Sequence, residues 1–194
     1  MSERMRAPGV SSSRADSTFA QLYHRHHRQI RDYCRRRVAG DAVDDAVAET
    51  FLTAWRRLDD VPSGDEALLW LYRVAYRVVG HQWRTTARRR RLDGRLRTMV
   101  PLVPVAAPDE SHAGRDECRL VLEAATFLND TDAEVLRLVA WEQLSLADVA
   151  EVLGIAPNAV KQRLHRARRN LARQYRKLES RQTSTPEAPE GGAQ

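Results

Sequence analysis

The 194-residue chain predicts an all-α protein of two small helical domains joined by a flexible linker. Three observations carry this. Apolar residues recur at helical spacing through most of the chain, and no alternating strand pattern appears. The periodicity is lost once, across a stretch broken by Pro101, Pro104 and Pro108. The last periodic block holds a short helix signal (Ser145–Leu153), a Gly154-Ile155-Ala156 turn and a basic helix opening at Pro157, the pattern of a helix-turn-helix.

The elements follow in order. Residues 1–16 are rich in Ser and Arg without periodicity, and disorder is expected. A first helix runs from about Ser17 to Val38, with Phe19, Leu22, Tyr23, His26, Ile30, Tyr33 and Cys34 on its apolar side, and Gly40 ends it. A second covers about Asp41 to Leu58, with Val43, Val47, Phe51, Ala54 and Leu58 as its stripe. Asp59–Asp65 is a loop by composition. Ser63 and Glu66 form a capping-box signature for a third helix reaching about Arg91, whose aliphatic face is Leu68, Leu71, Ala75 and Val79. These make a first domain, 17–92, followed by a linker, 93–115. The second domain, 116–178, holds helices at about Arg115–Leu128 and Thr131–Glu142, then the helix-turn-helix; Thr131 and Glu134 read as another capping box. Residues 179–194, with prolines and Gly-Gly, are expected to be a disordered tail.

Composition narrows the function. A net charge of +6 suits a polyanionic partner. Cys34 and Cys118 are far apart without metal-ligand spacing, and His24 and His27 share a helix face but lack a third ligand. No metal or cofactor is expected. No apolar run approaches membrane-spanning length and no apolar signal core occurs, so a cytoplasmic protein without membrane contact is expected. With no Gly-rich phosphate loop or nucleophile motif, an enzyme is the least favoured class.

The basic helix carries eight Lys or Arg residues and no acid between Pro157 and Leu178. Val160, Leu164, Ala167, Leu171, Tyr175 and Leu178 make its packing stripe. Opposite lie Asn158, Lys161, Gln162, His165, Arg166 and Arg169. In helix-turn-helix docking the N-terminal residues of the second helix reach base edges in the major groove. Gln can pair bidentately with adenine, and Arg or Lys with guanine. Asn158, Lys161, Gln162, His165 and Arg166 are therefore assigned to bases, and Arg168, Arg169, Arg173 and Arg176 to phosphates.

Two further surfaces lie in the first domain. On the third helix Tyr72, Tyr76 and Trp83 run beside Arg73, Arg77, Arg84 and Arg88. Rings beside cations are what single-stranded nucleic acid needs, for stacking and for its backbone. The same rings can instead be core and the arginines solvated; both readings stand at this point. On the second helix Asp41, Asp45 and Glu49 fall four apart, with Asp44 beside them. Like charges at that spacing repel, and an electropositive partner would relieve them. Asp41 and Asp44 also complement the helix N-terminus, which accounts for them without a partner but not for Glu49.

At these motifs the chain resembles a family. Asp44-Asp-Ala-Val-Ala-Glu-Thr-Phe-Leu-Thr-Ala-Trp-Arg-Arg57, Val61-Pro62 and Trp70-Leu-Tyr-Arg-Val-Ala75 resemble region 2 of bacterial extracytoplasmic-function (ECF) sigma factors. Ser145–Gly154 and Val160–Arg169 resemble their region 4. The resemblance implies a promoter-specificity subunit of bacterial RNA polymerase core. Region 2 would dock on the polymerase clamp through Asp45, Glu49, Phe51 and Trp55. The loop Val61–Glu66 and the start of the third helix would capture melted −10 bases. Region 4 would read the duplex −35 element through Lys161, Gln162, His165 and Arg166. An anti-sigma factor is a further partner the family implies. Ala48 stands where Gln is common in the family, and Gln162 where Ser is common. The linker agrees with this: Leu92 to Asp116 is about 24 residues, up to roughly 80 Å when extended. Sites two duplex turns apart lie roughly 70 Å apart. The competing reading is a stand-alone dimeric helix-turn-helix regulator, which has no need of a tether that lets its domains separate.

Overall fold

The computed structural model describes residues 9–92 and 112–183, with side chains over 14–84 and 116–181. It contains seven α-helices and no strand among those residues. They fall into two units, the first built from α1–α3 and the second from α4, α5, α7 and most of α6.

In the first unit α1 (Gly9–Arg35), α2 (Ala42–Arg56) and α3 (Glu66–Leu92) pack pairwise on one another. Each presents the stripe its sequence spells. Ile30, Tyr33 and Cys34 of α1, Ala46, Val47, Phe51 and Ala54 of α2 and Leu71, Ala75 and Val79 of α3 are all buried as these helices pack. Gly40 turns the chain between α1 and α2 at φ 60°, a left-handed conformation that a Cβ disfavours. A 3-10 turn, Leu58–Asp60, and a loop with Gly64 at φ 70° lead into α3. The helix α1 begins at Gly9 rather than near Ser17, so residues 9–16 are helical where disorder was expected. Propagating an established helix takes little free energy. The hydroxyls of Ser17 and Thr18 also turn back to the carbonyl of Arg14, both at 2.9 Å. Residues 1–8 lie outside the described set.

In the second unit α4 (His112–Ala125) and α5 (Asp130–Ala140) both pack on α7 (Pro157–Thr183). Leu120 and Ala124 of α4 meet Leu178, while Ala125, Leu128 and Ala133 meet Ala167. The helix α4 starts inside the segment expected to be linker, at His112; residues 93–111 are not described. The capping box expected at Thr131 and Glu134 is replaced by Asn129. Its Oδ1 accepts from the backbone N of Asp132 at 2.9 Å, and Glu134 turns inward beside Arg137 at 3.5 Å. An amide side chain one position before the helix suits the N-cap better than a threonine already inside it. At the other end α7 continues through Glu179–Thr183, again helical where disorder was expected. Residues 184–194 are not described.

Candidate nucleic-acid interface

The helix-turn-helix is held by local hydrogen bonds that its sequence supplies. Ser145 and Asp148 cap α6 (Leu146–Leu153) reciprocally: Ser145 Oγ accepts from Asp148 N at 3.2 Å, and Asp148 Oδ2 accepts from Ser145 N at 3.2 Å. The far end closes in a Schellman turn. Gly154 takes φ 65°, Ile155 N donates to Ala150 O at 3.0 Å, and Gly154 N donates to Glu151 O at 3.2 Å. Pro157 then occupies the first helical position of α7, where its missing N–H has no intrahelical role. The Ser145–Asp148 pair was legible as a capping box in the sequence and was overlooked there.

Along α7 the two faces separate cleanly. Val160, Leu164 and Ala167 are buried. Asn158, Lys161, Gln162, His165, Arg166 and Arg169 are all exposed, so the structure brings the whole assigned set to one surface. Arg166 is nonetheless committed elsewhere. Its Nε and Nη2 donate to Asp132 Oδ2 and Oδ1 at 2.6 and 2.8 Å, so one edge of its guanidinium is held by a carboxylate and Nη1 is left facing outward. Asp132 is fully buried; its hydrogen bond from Arg166, above all, holds its carboxyl below the usual carboxylate range against the opposing effect of burial. Sequence reasoning missed Asp132, although Asn129-x-x-Asp132 is a recognisable capping spacing.

The acidic face of α2 is exposed at Asp45 and Glu49, and Asp44 pairs with Arg31 at 3.3 Å. Trp55 stands 41% exposed, with its ring edge-on to Phe19 at 5.0 Å, and Leu52 beside it is 46% exposed. Phe51 is different. It is buried in a ring cluster with Tyr23 at 4.8 Å, His27 at 6.1 Å and Phe19 at 6.4 Å. It belongs to the stripe Val43–Val47–Phe51 and cannot be offered to a partner, which corrects its assignment as a docking residue.

The ring stripe on α3 divides similarly. Tyr72 is buried against Tyr33, with centroids 5.3 Å apart, and cannot present a face to a base. Trp83 is half-buried and its Nε1 donates to the carbonyl of Arg37 at 3.0 Å. Tyr76 and Arg73 are half-buried, and Arg77 and Arg84 are exposed; the side chain of Arg88 is not described. Core packing thus claims Tyr72 and anchors Trp83, because positions 72, 75 and 79 lie on the side of α3 turned to α1 and α2. The ring of α3 that shares a cleft with arginines is Trp70. A cavity of about 120 Å³ is lined by Arg57, Trp70, Arg73, Val74 and Arg77. Arg57 is held at its rim by Asp60 at 2.8 Å. Trp70–Arg73–Arg77, spaced three and four, is the sequence signal that could have found this site. The neighbouring loop is tied to α1 by Arg25 and Asp65 at 3.1 Å.

Among the described residues no helix is long and apolar enough to cross a membrane. Family models match both units: Sigma-70 region 2 over residues 22–89 and Sigma-70, region 4 over residues 119–171. A three-helix unit followed by a helix-turn-helix unit, matching those two regions in that order, defines a sigma-70-type factor. The relatives narrow the class. The ECF RNA polymerase sigma factor SigL of Mycobacterium tuberculosis is 30% identical over 169 residues, covering 86% of this chain and 93% of SigL. CnrH of Cupriavidus metallidurans, an RNA polymerase sigma factor, is 32% identical over 136 residues, 67% of this chain and 71% of CnrH. The chain belongs to the ECF RNA polymerase sigma factors. Among solved structures, CnrH in complex with the cytosolic domain of CnrY superposes with a TM-score of 0.55 at 26% identity, covering 81% of this chain and 92% of that one. The sigma factor RpoE of Bartonella quintana, in complex with the anti-sigma factor NepR, shares the fold at TM-score 0.66 and 20% identity, covering 81% and 96%.

Proposed function

We propose that this sigma factor docks on RNA polymerase core through the exposed acidic face of α2, with Asp45, Glu49 and Trp55 as its contacts. Region 4 reads the duplex −35 element through Asn158, Lys161, Gln162 and His165, with Arg169 on phosphate. Region 2 holds melted −10 bases beside the loop Val61–Glu66, with Trp70 as the ring and Arg57, Arg73, Arg77 and Arg84 on the backbone. The protein catalyses nothing itself and works in the cytoplasm. Its domains run over 17–92 and 116–178, with 93–115 between them. The observation that carries this is the exposed polar face of α7 opposite a buried apolar one. The two solved relatives, bound to NepR and to the cytosolic domain of CnrY, support an anti-sigma protein as a further partner.

The test is co-purification with bacterial RNA polymerase core, followed by run-off transcription from genomic fragments. Stoichiometric association, with new start sites preceded by a shared bipartite element, is expected. A symmetric duplex footprint by the protein alone, without association to core, would overturn it in favour of the dimeric regulator.

A further inference from the structure

Asp132 is a carboxylate with no exposed surface, in the first turn of α5. Burying a charge is costly unless it is paired and hydrogen-bonded. Here every oxygen is used. Arg166 donates to both, Asn129 Nδ2 donates to Oδ2 at 2.8 Å, and Arg163 Nη1 lies 3.6 Å from Oδ1. Two guanidiniums from α7 thus converge on one carboxylate of α5, leaving an excess of positive charge. Arg163 and Arg166, three apart, lie toward the side of α7 turned to α5, while Gln162 and Arg169 occupy the centre of its exposed face and His165 its other side. The Arg166 side chain remains 52% exposed, and the clamp takes only its Nε edge. Its Nη1 therefore points away from Asp132, held by a bidentate pair that fixes the guanidinium plane.

We propose that Arg166 grips a backbone phosphate at the edge of the −35 major groove instead of reading a base. Asp132 and Arg163 are positioning residues that aim Arg166 and set the rotation of α7 against α5. This rests on the reading that α7 faces duplex DNA. A phosphate accepts well from an arginine already oriented, since less side-chain freedom is lost on binding. Nη1 and the outer N–H of Nη2 are not engaged by Asp132, and they lie toward the α5 side of the exposed face of α7, where the groove's rim would meet them.

The test uses holoenzyme reconstituted from core polymerase and the full chain. Its affinity is measured across single-base variants of the −35 element and over a salt series. Arg166→Ala is expected to weaken binding about tenfold at every −35 variant alike, and to reduce the salt slope by about one. Asp132→Asn should weaken binding in the same uniform way, and the double variant should be no weaker than Arg166→Ala alone. Gln162→Ala, by contrast, should relax preference at a particular base. Arg166→Lys, which keeps a cation beside Asp132 but loses the fork, should weaken binding uniformly with little change in slope; this arm holds even if Asp132→Asn, or Arg166→Ala with its buried carboxylate left short of a partner, fails to fold. Relaxed preference at one −35 base in Arg166→Ala overturns the proposal, as does unchanged affinity in both Arg166→Ala and Arg166→Lys. If Lys161→Ala and Gln162→Ala also leave −35 recognition untouched, the reading of α7 itself falls.

Discussion

Neighbouring residues on one helix have opposite duties here, and their burial separates them. Phe51 is 3% exposed and Trp55 is 41% exposed, although both are aromatic and one turn apart on α2. Phe51→Ala should destabilise the first unit by about 3–5 kcal/mol, because it leaves a cavity among packed rings. Trp55→Ala should cost about 0.5–1.5 kcal/mol through the lost contact with Phe19 and weaken association with polymerase core as well; a loss as large as that of Phe51→Ala would show that Trp55 is structural. His26 offers a second residue-scale test. It is buried, its Nδ1 has no protein hydrogen-bond partner, and burial, then Arg25, lowers its pKa while Asp65 opposes. The folded state therefore prefers neutral His26. Its contribution is fully present above the ordinary histidine value of 6.5 and is lost as pH falls below it. Urea unfolding should show stability dropping as pH falls through and below about 6.5, and His26→Leu should flatten that drop. An unaltered slope would place the titrating group elsewhere.

The elements owe their ends to a few positions with definite chemistry. Gly154 closes α6 at φ 65° with nothing within 4 Å of where a Cβ would stand, so only the backbone conformation resists a side chain. Gly154→Ala should cost about 1–2 kcal/mol through that left-handed strain, and Ser145→Ala about 1 kcal/mol through the lost cap. Both are read from thermal unfolding followed by the circular dichroism of the full chain. An unchanged midpoint for Gly154→Ala would mean that the turn adopts another conformation. Much of this was legible in advance. The stripes of α2 and α7 came straight from spacing, and the Gly154 turn and Pro157 start from residue type. The helix ends were less so: α1 begins at Gly9 and α7 runs to Thr183, because helix propagation from a packed segment tolerates weakly favourable residues that composition alone reads as disordered.

At the scale of the whole molecule, charge is divided between opposite tasks. The chain carries +6 overall, yet α2 exposes Asp45 and Glu49 together, while α7 exposes a basic face. Reversing both acids, Asp45→Lys with Glu49→Lys, should abolish association with polymerase core and leave the thermal midpoint within a degree or so, since exposed charges contribute little to stability. Unchanged affinity in a pull-down with core would refute the docking face. The ordered pair of matched regions, 22–89 and 119–171, is what separates this chain from a lone helix-turn-helix regulator.

Helical periodicity, turn chemistry and charge distribution by themselves determined the all-α class, the two-unit division, the exposed face of α7 and the acidic face of α2, because these depend on residues near one another in the chain. Tertiary structure alone decided which aromatics are available. Tyr72 and Phe51 lie on faces their helices turn inward, Trp83 is anchored to the carbonyl of Arg37, and Trp70 lines the cavity with three arginines. It also decided that Arg166 meets Asp132, 34 residues earlier. Spacing along a helix tells which side chains share a face; only packing between helices tells which face is covered and which charge finds its partner there.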